Sequence, residues 1–149
     1  MSQDIDLTPK FDYDEQIAAR FLANKGGAGG LPEFLGIRIT EVGPGTMTGE
    51  LTVRPELLTG IGNMHGGVLS AFCDHMLGCV CYPVMKKGQW GATTEFKINL
   101  TAPVTQGTVA ARAEIINLSR TQAVVRIDIV NEGRRAAIAQ GTVTIRDPR

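Results

Sequence analysis

The sequence predicts an α+β domain in which a curved antiparallel sheet of five or six strands wraps one long central helix. Three observations carry this. Residues 66–82 place Leu69, Phe72, Met76 and Cys79 at helical spacing in an almost unbroken apolar background, with only Asp74 and His75 strongly polar. Residues 92–101, 108–117, 123–131 and 136–146 read as strands, with turns at Ala102-Pro103, Leu118-Ser119-Arg120 and Asn131-Glu132-Gly133, so the C-terminal half reads as an antiparallel meander. Residues 34–42 and 46–53 flank the turn Gly43-Pro44-Gly45 and read as a hairpin.

The remaining elements follow in chain order. Residues 12–24 space Ile17, Ala18, Phe21 and Leu22 for a short amphipathic helix, with Asp12 and Glu15 in a D-x-x-E start signal. The run Gly26 to Gly30 follows a helix and lacks G-x-G-x-x-G spacing, so it reads as a linker and not as a phosphate loop. Residues 1–30 are thus a helix with a glycine-rich linker, and 31–149 the main domain. Tyr82-Pro83 marks the end of the central helix, because the residue before proline disfavours helical geometry.

Composition narrows the function. The 149 residues suit one domain, and fifteen basic against fifteen acidic side chains give no net charge, which disfavours nucleic acid as a partner. Acidic residues at Asp4 and Asp6, with no apolar run behind them, give no secretion signal, and a cytoplasmic setting off the membrane is expected. Cys73, Cys79 and Cys81 cannot all pair internally and are expected to be reduced. His65 and His75 lack a metal-ligand arrangement, so neither metal nor cofactor is expected.

The stretch from Gly62 to Asp74 carries the chemistry. Gly66 and Gly67 open an apolar helix whose first-turn N–H groups lack intrahelical acceptors and can hold a polarised carbonyl or an oxyanion. A carboxylate in mid-helix, Asp74, must be paired, protonated or facing a cavity. Gly67 and Asp74 are seven residues apart, the same helix face but an axial rise of roughly 10 Å, so one helix cannot bring both to one carbonyl. A two-fold dimer with antiparallel neighbouring helices would. Cys73 as a nucleophile is disfavoured by its apolar helix, and His65 reads as a loop-fixing residue.

With His65-Gly66-Gly67 opening the central helix, Asp74 nine residues after His65, and the later segment from Gly91 to Pro103, the sequence resembles the hotdog-fold thioesterases, specifically the PaaI-like branch. The resemblance covers residues 34–145 and implies a helix wrapped by a curved sheet, in a homodimer or a dimer of such dimers. It implies acyl-CoA thioester hydrolysis, with Gly67 donating its N–H to the carbonyl and Asp74 of the partner acting as base or nucleophile. Thr93 would orient water or carboxylate. Many relatives carry Asn six residues before the His; here Thr59 stands there, and Asn63 is the nearest Asn. Met64, His65, Gly66, Thr94 and Arg120 complete the implied substrate contacts, with Leu57, Leu58, Ile61 and Phe72 as further acyl-pocket candidates and Lys86, Lys87 and Arg120 as candidates for CoA phosphates. Non-catalytic acyl-CoA or lipid binding is the alternative function.

Overall fold

The computed structural model describes residues 9–24 and 29–148. The acidic N-terminal tail and Gly26 to Ala28 of the expected linker lie outside them. A first helix, α1 (Glu15–Ala23), is capped by Asp14, whose carboxylate accepts from Gln16 and Ile17 N–H at 2.9 and 3.1 Å. The cap is therefore Asp14 and not Asp12, one residue before the first helical turn, where a side-chain oxygen reaches the free amides. The preceding segment ties α1 down: Asp14 N–H donates to Pro83 O and the Tyr13 hydroxyl to Val42 O.

A second helix, α2 (Gly30–Leu35), replaces the expected start of the first strand and crosses the expected domain boundary. Its signals are local. Pro32 sits in the first turn, where its missing N–H costs nothing, Glu33 accepts from Gly29 N–H at 2.9 Å, and Gly36 closes the helix with φ 77°. The hairpin follows as β1 (Arg38–Gly43) and β2 (Thr46–Thr52), turning through Gly45 at φ 70°. The central helix, α3 (Gly66–Cys79), is shorter than expected, and a 3₁₀ turn at Tyr82–Val84 accommodates Pro83. Then come β3 (Trp90–Leu100), β4 (Thr108–Leu118), β5 (Gln122–Asn131) and β6 (Arg134–Arg146).

All six strands form one antiparallel sheet in the order β1-β2-β4-β5-β6-β3. This corrects the simple meander: β4 pairs with β2, and β3 closes the far edge against β6. The reason is α3, which has to be covered from both sides. The chain leaves its C-terminal end for the far edge, and the 101–107 connection then crosses its N-terminal end, where Met64 N–H donates to Val104 O at 2.7 Å. This is the hotdog arrangement.

Alternation along the strands sends Val109, Ala111, Ala113 and Ile115 inward from β4, Val125, Ile127 and Ile129 from β5, and Ala137, Ala139 and Val143 from β6. They pack on Leu69, Phe72, Cys73, Met76 and Leu77 of α3, all buried. Bulges in four of the five strand pairings bend the sheet round the helix. Small inner residues permit this closeness. A Cβ on Gly141 would stand 2.5 Å from Phe96 Cβ and 2.6 Å from Glu95 O, and one on Gly49 2.8 Å from Met76 Sδ. Since backbone blocks Gly141, Gly141→Ala is expected to lower unfolding free energy by about 2–3 kcal/mol in urea titration.

Candidate active site

Helix α3 buries one face and leaves the other uncovered. Leu69, Phe72, Cys73, Met76 and Leu77 face the sheet, whereas Gly67 and Asp74 are exposed and Ala71 and Gly78 half-buried on the opposite side. Asp74 is thus exposed, and among the described residues it has no ion-pair partner. It faces a cavity of about 380 Å³ walled by His75, Gly78, Cys79 and Tyr82 from the helical side and by Gly91 and Thr93 from β3. Thr93 therefore lines the same cavity as the carboxylate.

Thr94 does not. The bulge between Thr93 and Glu95 turns it to the outer face, where its hydroxyl donates to Thr142 O at 3.2 Å. Two successive residues of a bulged strand, Thr94 and Glu95, both meet Thr142, leaving Thr93 alone on the helix side.

At the N-terminus of α3 the amides divide differently from expectation. His65 is the N-cap, and its Nδ1 accepts from Gly67 N–H at 2.8 Å. Gly67 N–H is therefore committed to the loop-fixing histidine. Gly66 N–H, one residue earlier, donates to no described residue, and Gly66 borders a cavity of about 260 Å³ with Asn63, Met64, Leu69, Leu100 and Val104. A carbonyl or oxyanion in that cavity meets a free amide at the positive end of a helix.

Loop 58–64 is held by its own bonds. Thr59 N–H donates to Asn63 O at 2.7 Å, and the Thr59 hydroxyl donates to Asn63 Oδ1 at 3.0 Å. The two residues proposed for one role are hydrogen-bonded to each other, with Asn63 at the cavity and Thr59 behind it. Of the acyl-pocket candidates, Met64 reaches the cavity, Leu57 and Phe72 are core, and Ile61 is 90% exposed.

A third cavity, about 510 Å³, lies beyond the C-terminal end of α3. It gathers Lys86, Lys87 and Arg120 with Lys10 of the N-terminal segment. Arg120 holds only a 3.9 Å surface pair with Asp147, at 76% exposure, and stays available to another anion. Leu100 and Lys10 were not legible as site residues, because only the sheet edge and the N-terminal crossing bring them there. Gly78 was legible by position, one helical turn after Asp74.

The thiols are spectators. Burial pushes Cys73, Cys79 and Cys81 up to about 12 from 9.0, so Cys79 stays protonated although it borders the carboxylate's cavity. Burial also holds His75 below its ordinary value, opposed by the Asp74 charge, and its Nε2 lies 3.5 Å from Cys79 Sγ. No group of three or more His, Cys, Asp or Glu suited to a metal occurs among the described residues.

Comparison with known proteins agrees with this fold. The sequence profile of the thioesterase superfamily matches residues 61–138, from the loop before α3 into β6. The structure resembles thioesterase HI1161 of Haemophilus influenzae, 26% identical, with a TM-score of 0.80 over 85% of this chain and 90% of that one. It also resembles the TT0310 protein of Thermus thermophilus, 30% identical, with a TM-score of 0.69 over 75% and 93% of the chains. The PaaI protein of the E. coli phenylacetic acid degradation operon, 22% identical, shares the fold with a TM-score of 0.79 over 89% and 96%.

The buried thiols make a pH prediction. A thiol whose folded pKa is raised adds stability below its unfolded value and loses it as pH climbs toward the folded value. Stability is expected to fall between pH 9.0 and about 12, and a thiol reagent at pH 8 to label the protein only after denaturation. Rapid labelling of the native protein would contradict the burial.

Proposed function

The chain belongs to the thioesterase superfamily, and from that premise we propose that it hydrolyses acyl-CoA thioesters to free acid and CoA, at sites shared by two protomers. The observation that supports this most is the pairing of a free Gly66 N–H with the exposed Asp74 on one helix, the oxyanion donor and the carboxylate that thioester hydrolysis needs. Eight residues separate them, an axial rise of roughly 12 Å, whereas a reacting carbonyl needs both within about 3 Å. A two-fold that sets Gly66 of one protomer against Asp74 of the other removes the discrepancy and makes two equal sites.

The chemistry then follows. The carbonyl oxygen accepts from Gly66 N–H, and the helix dipole favours the charge that grows there. Asp74 of the partner takes a proton from water as the water adds, with Thr93 beside it to orient water or carboxylate; collapse of the tetrahedral intermediate expels the CoA thiolate. Direct attack by Asp74, giving an anhydride that water opens, uses the same atoms. Antiparallel α3 helices bring the Gly66 end of one protomer toward the C-terminal end of the other, where Lys10, Lys86, Lys87 and Arg120 gather. We assign the CoA phosphates to that cavity and the pantetheine arm to the one beside Gly66.

The engagement of Thr59 with Asn63 favours a second reading, acyl-CoA binding without turnover. Thiol release from a panel of short, long and aromatic acyl-CoAs separates the two. Asp74→Asn is expected to lower kcat/KM at least about 100-fold with an unchanged circular dichroism spectrum. Unchanged turnover would remove Asp74 from the chemistry, and saturable binding with no thiol release would establish the second reading.

A further inference from the structure

We infer that Asn131, at the tip of the β5–β6 hairpin, is a positioning residue for the oxyanion donor; this rests on the reading of Gly66 N–H as that donor. Asn131 acts on Gly66 through the 101–107 connection. Residues 58–64 bond mainly to one another, and among the described residues their one backbone hydrogen bond to a segment distant in sequence runs from Met64 N–H to Val104 O, at 2.7 Å. Just before the connection, Leu100 meets Gly66 itself, with Cδ1 2.7 Å from where a Cβ on Gly66 would stand. The course of residues 100–104 therefore sets where the free amide points.

The hairpin tip holds that course at both ends. At the start, Thr101 N–H donates to Ala136 O at 2.8 Å and the Thr101 hydroxyl to Arg135 O at 3.0 Å. At the far end, Asn131 uses both hydrogens of Nδ2, one on Gln106 O and one on Thr108 O, each at 3.0 Å. These carbonyls flank Gly107, where the chain turns at φ 77° and accepts from Val53 N–H at 2.9 Å. Between the two ends only Val104 is buried, and a cavity of about 250 Å³ separates Ala102, Pro103 and Thr105 from the hairpin tip. Hydrogen bonds thus fix the connection where packing does not, and Asn131 is, among the described residues, the one side chain from outside that bonds to it. The turn sequence points the same way. Glu132 and Gly133 form a two-residue turn with φ 49° and 74°, a conformation that favours asparagine at the first place. Glu132 takes that strained place instead, and the asparagine stands one residue earlier, where its amide reaches the connection.

The test replaces Asn131 by Asp, which keeps the shape and removes both donors, and by Ala, which removes them without adding charge, so that one misfolded variant does not decide it. Thiol release gives kcat and KM. Isotope-edited infrared spectra of bound acetyl-dethia-CoA, a non-hydrolysable ketone with methylene in place of sulfur, report the hydrogen bond to its carbonyl. In both Asn131→Asp and Asn131→Ala, kcat is expected to fall at least about tenfold with KM within about threefold, and the carbonyl's red shift in wild type to be largely lost. Glu132→Asn, which alters the same turn and leaves the clamp, should keep kcat within about twofold. Wild-type kcat in the Asn131 variants, a lower kcat with the full carbonyl shift, or KM rising as steeply as kcat falls would overturn the inference. Gly66→Pro separates it from the reading beneath. A carbonyl unshifted in wild type, or equally shifted in Gly66→Pro, would remove Gly66 as the donor; a shift lost in Gly66→Pro but kept in the Asn131 variants would sink the positioning role alone.

Discussion

The burial of one face of α3 against the concave side of the sheet is the constraint on which the rest depends. Phe72, Cys73, Met76 and Leu77 are completely shielded, and each large apolar side chain removed from water contributes about 2 kcal/mol. A single helix with such a face needs cover along its length and on both flanks. The sheet supplies this by curling, with bulges in four of its five strand pairings and a glycine, Gly49, where Met76 of the helix approaches. The unusual edge position of β3 is part of the same solution.

That burial also creates the site. Fixing Leu69, Phe72 and Met76 inward turns Gly67, Ala71, Asp74 and Gly78 outward by helical periodicity, so the carboxylate is aimed away from the core without being placed on a loop. The same rigid helix keeps donor and carboxylate apart. Under the proposed hydrolysis, that packing solution calls for a second protomer. The glycines sort on this basis: Gly141 and Gly49 permit packing, Gly36 and Gly45 permit turns, and Gly66 offers an amide.

Much of this was legible in the sequence because it is periodic. The apolar spacing from Leu69 to Cys79 and the alternation in β4 to β6 report local burial directly, and the joint of His65, Gly66 and Gly67 marked the helix start. What was not legible depended on contacts distant in the chain. The place of β3 beside β6 follows from covering α3, and the gathering of Lys10 with Arg120 needs the N-terminal crossing. The remaining differences were local. The helix α2 was written in Pro32 and Gly36, but the glycine run before it and the β-branched residues after it concealed a six-residue element. The choice between Gly66 and Gly67 turned on a side-chain cap, since His65 Nδ1 occupies the second amide and leaves the first; Thr93 and Thr94 were separated only by a bulge.

The proposed composite site is tested most directly by making hybrid dimers. Gly66→Pro removes the proposed donor at the first helical position, where proline is favoured, and His65, at φ −62° and ψ 132°, already has the backbone that precedes a proline. Each of Gly66→Pro and Asp74→Asn should be inactive alone. When the two are co-expressed in equal amounts, half the dimers are hybrids with one intact site of two, so about a quarter of wild-type thiol release is expected. A mixture no more active than its two parents would contradict a site shared between protomers.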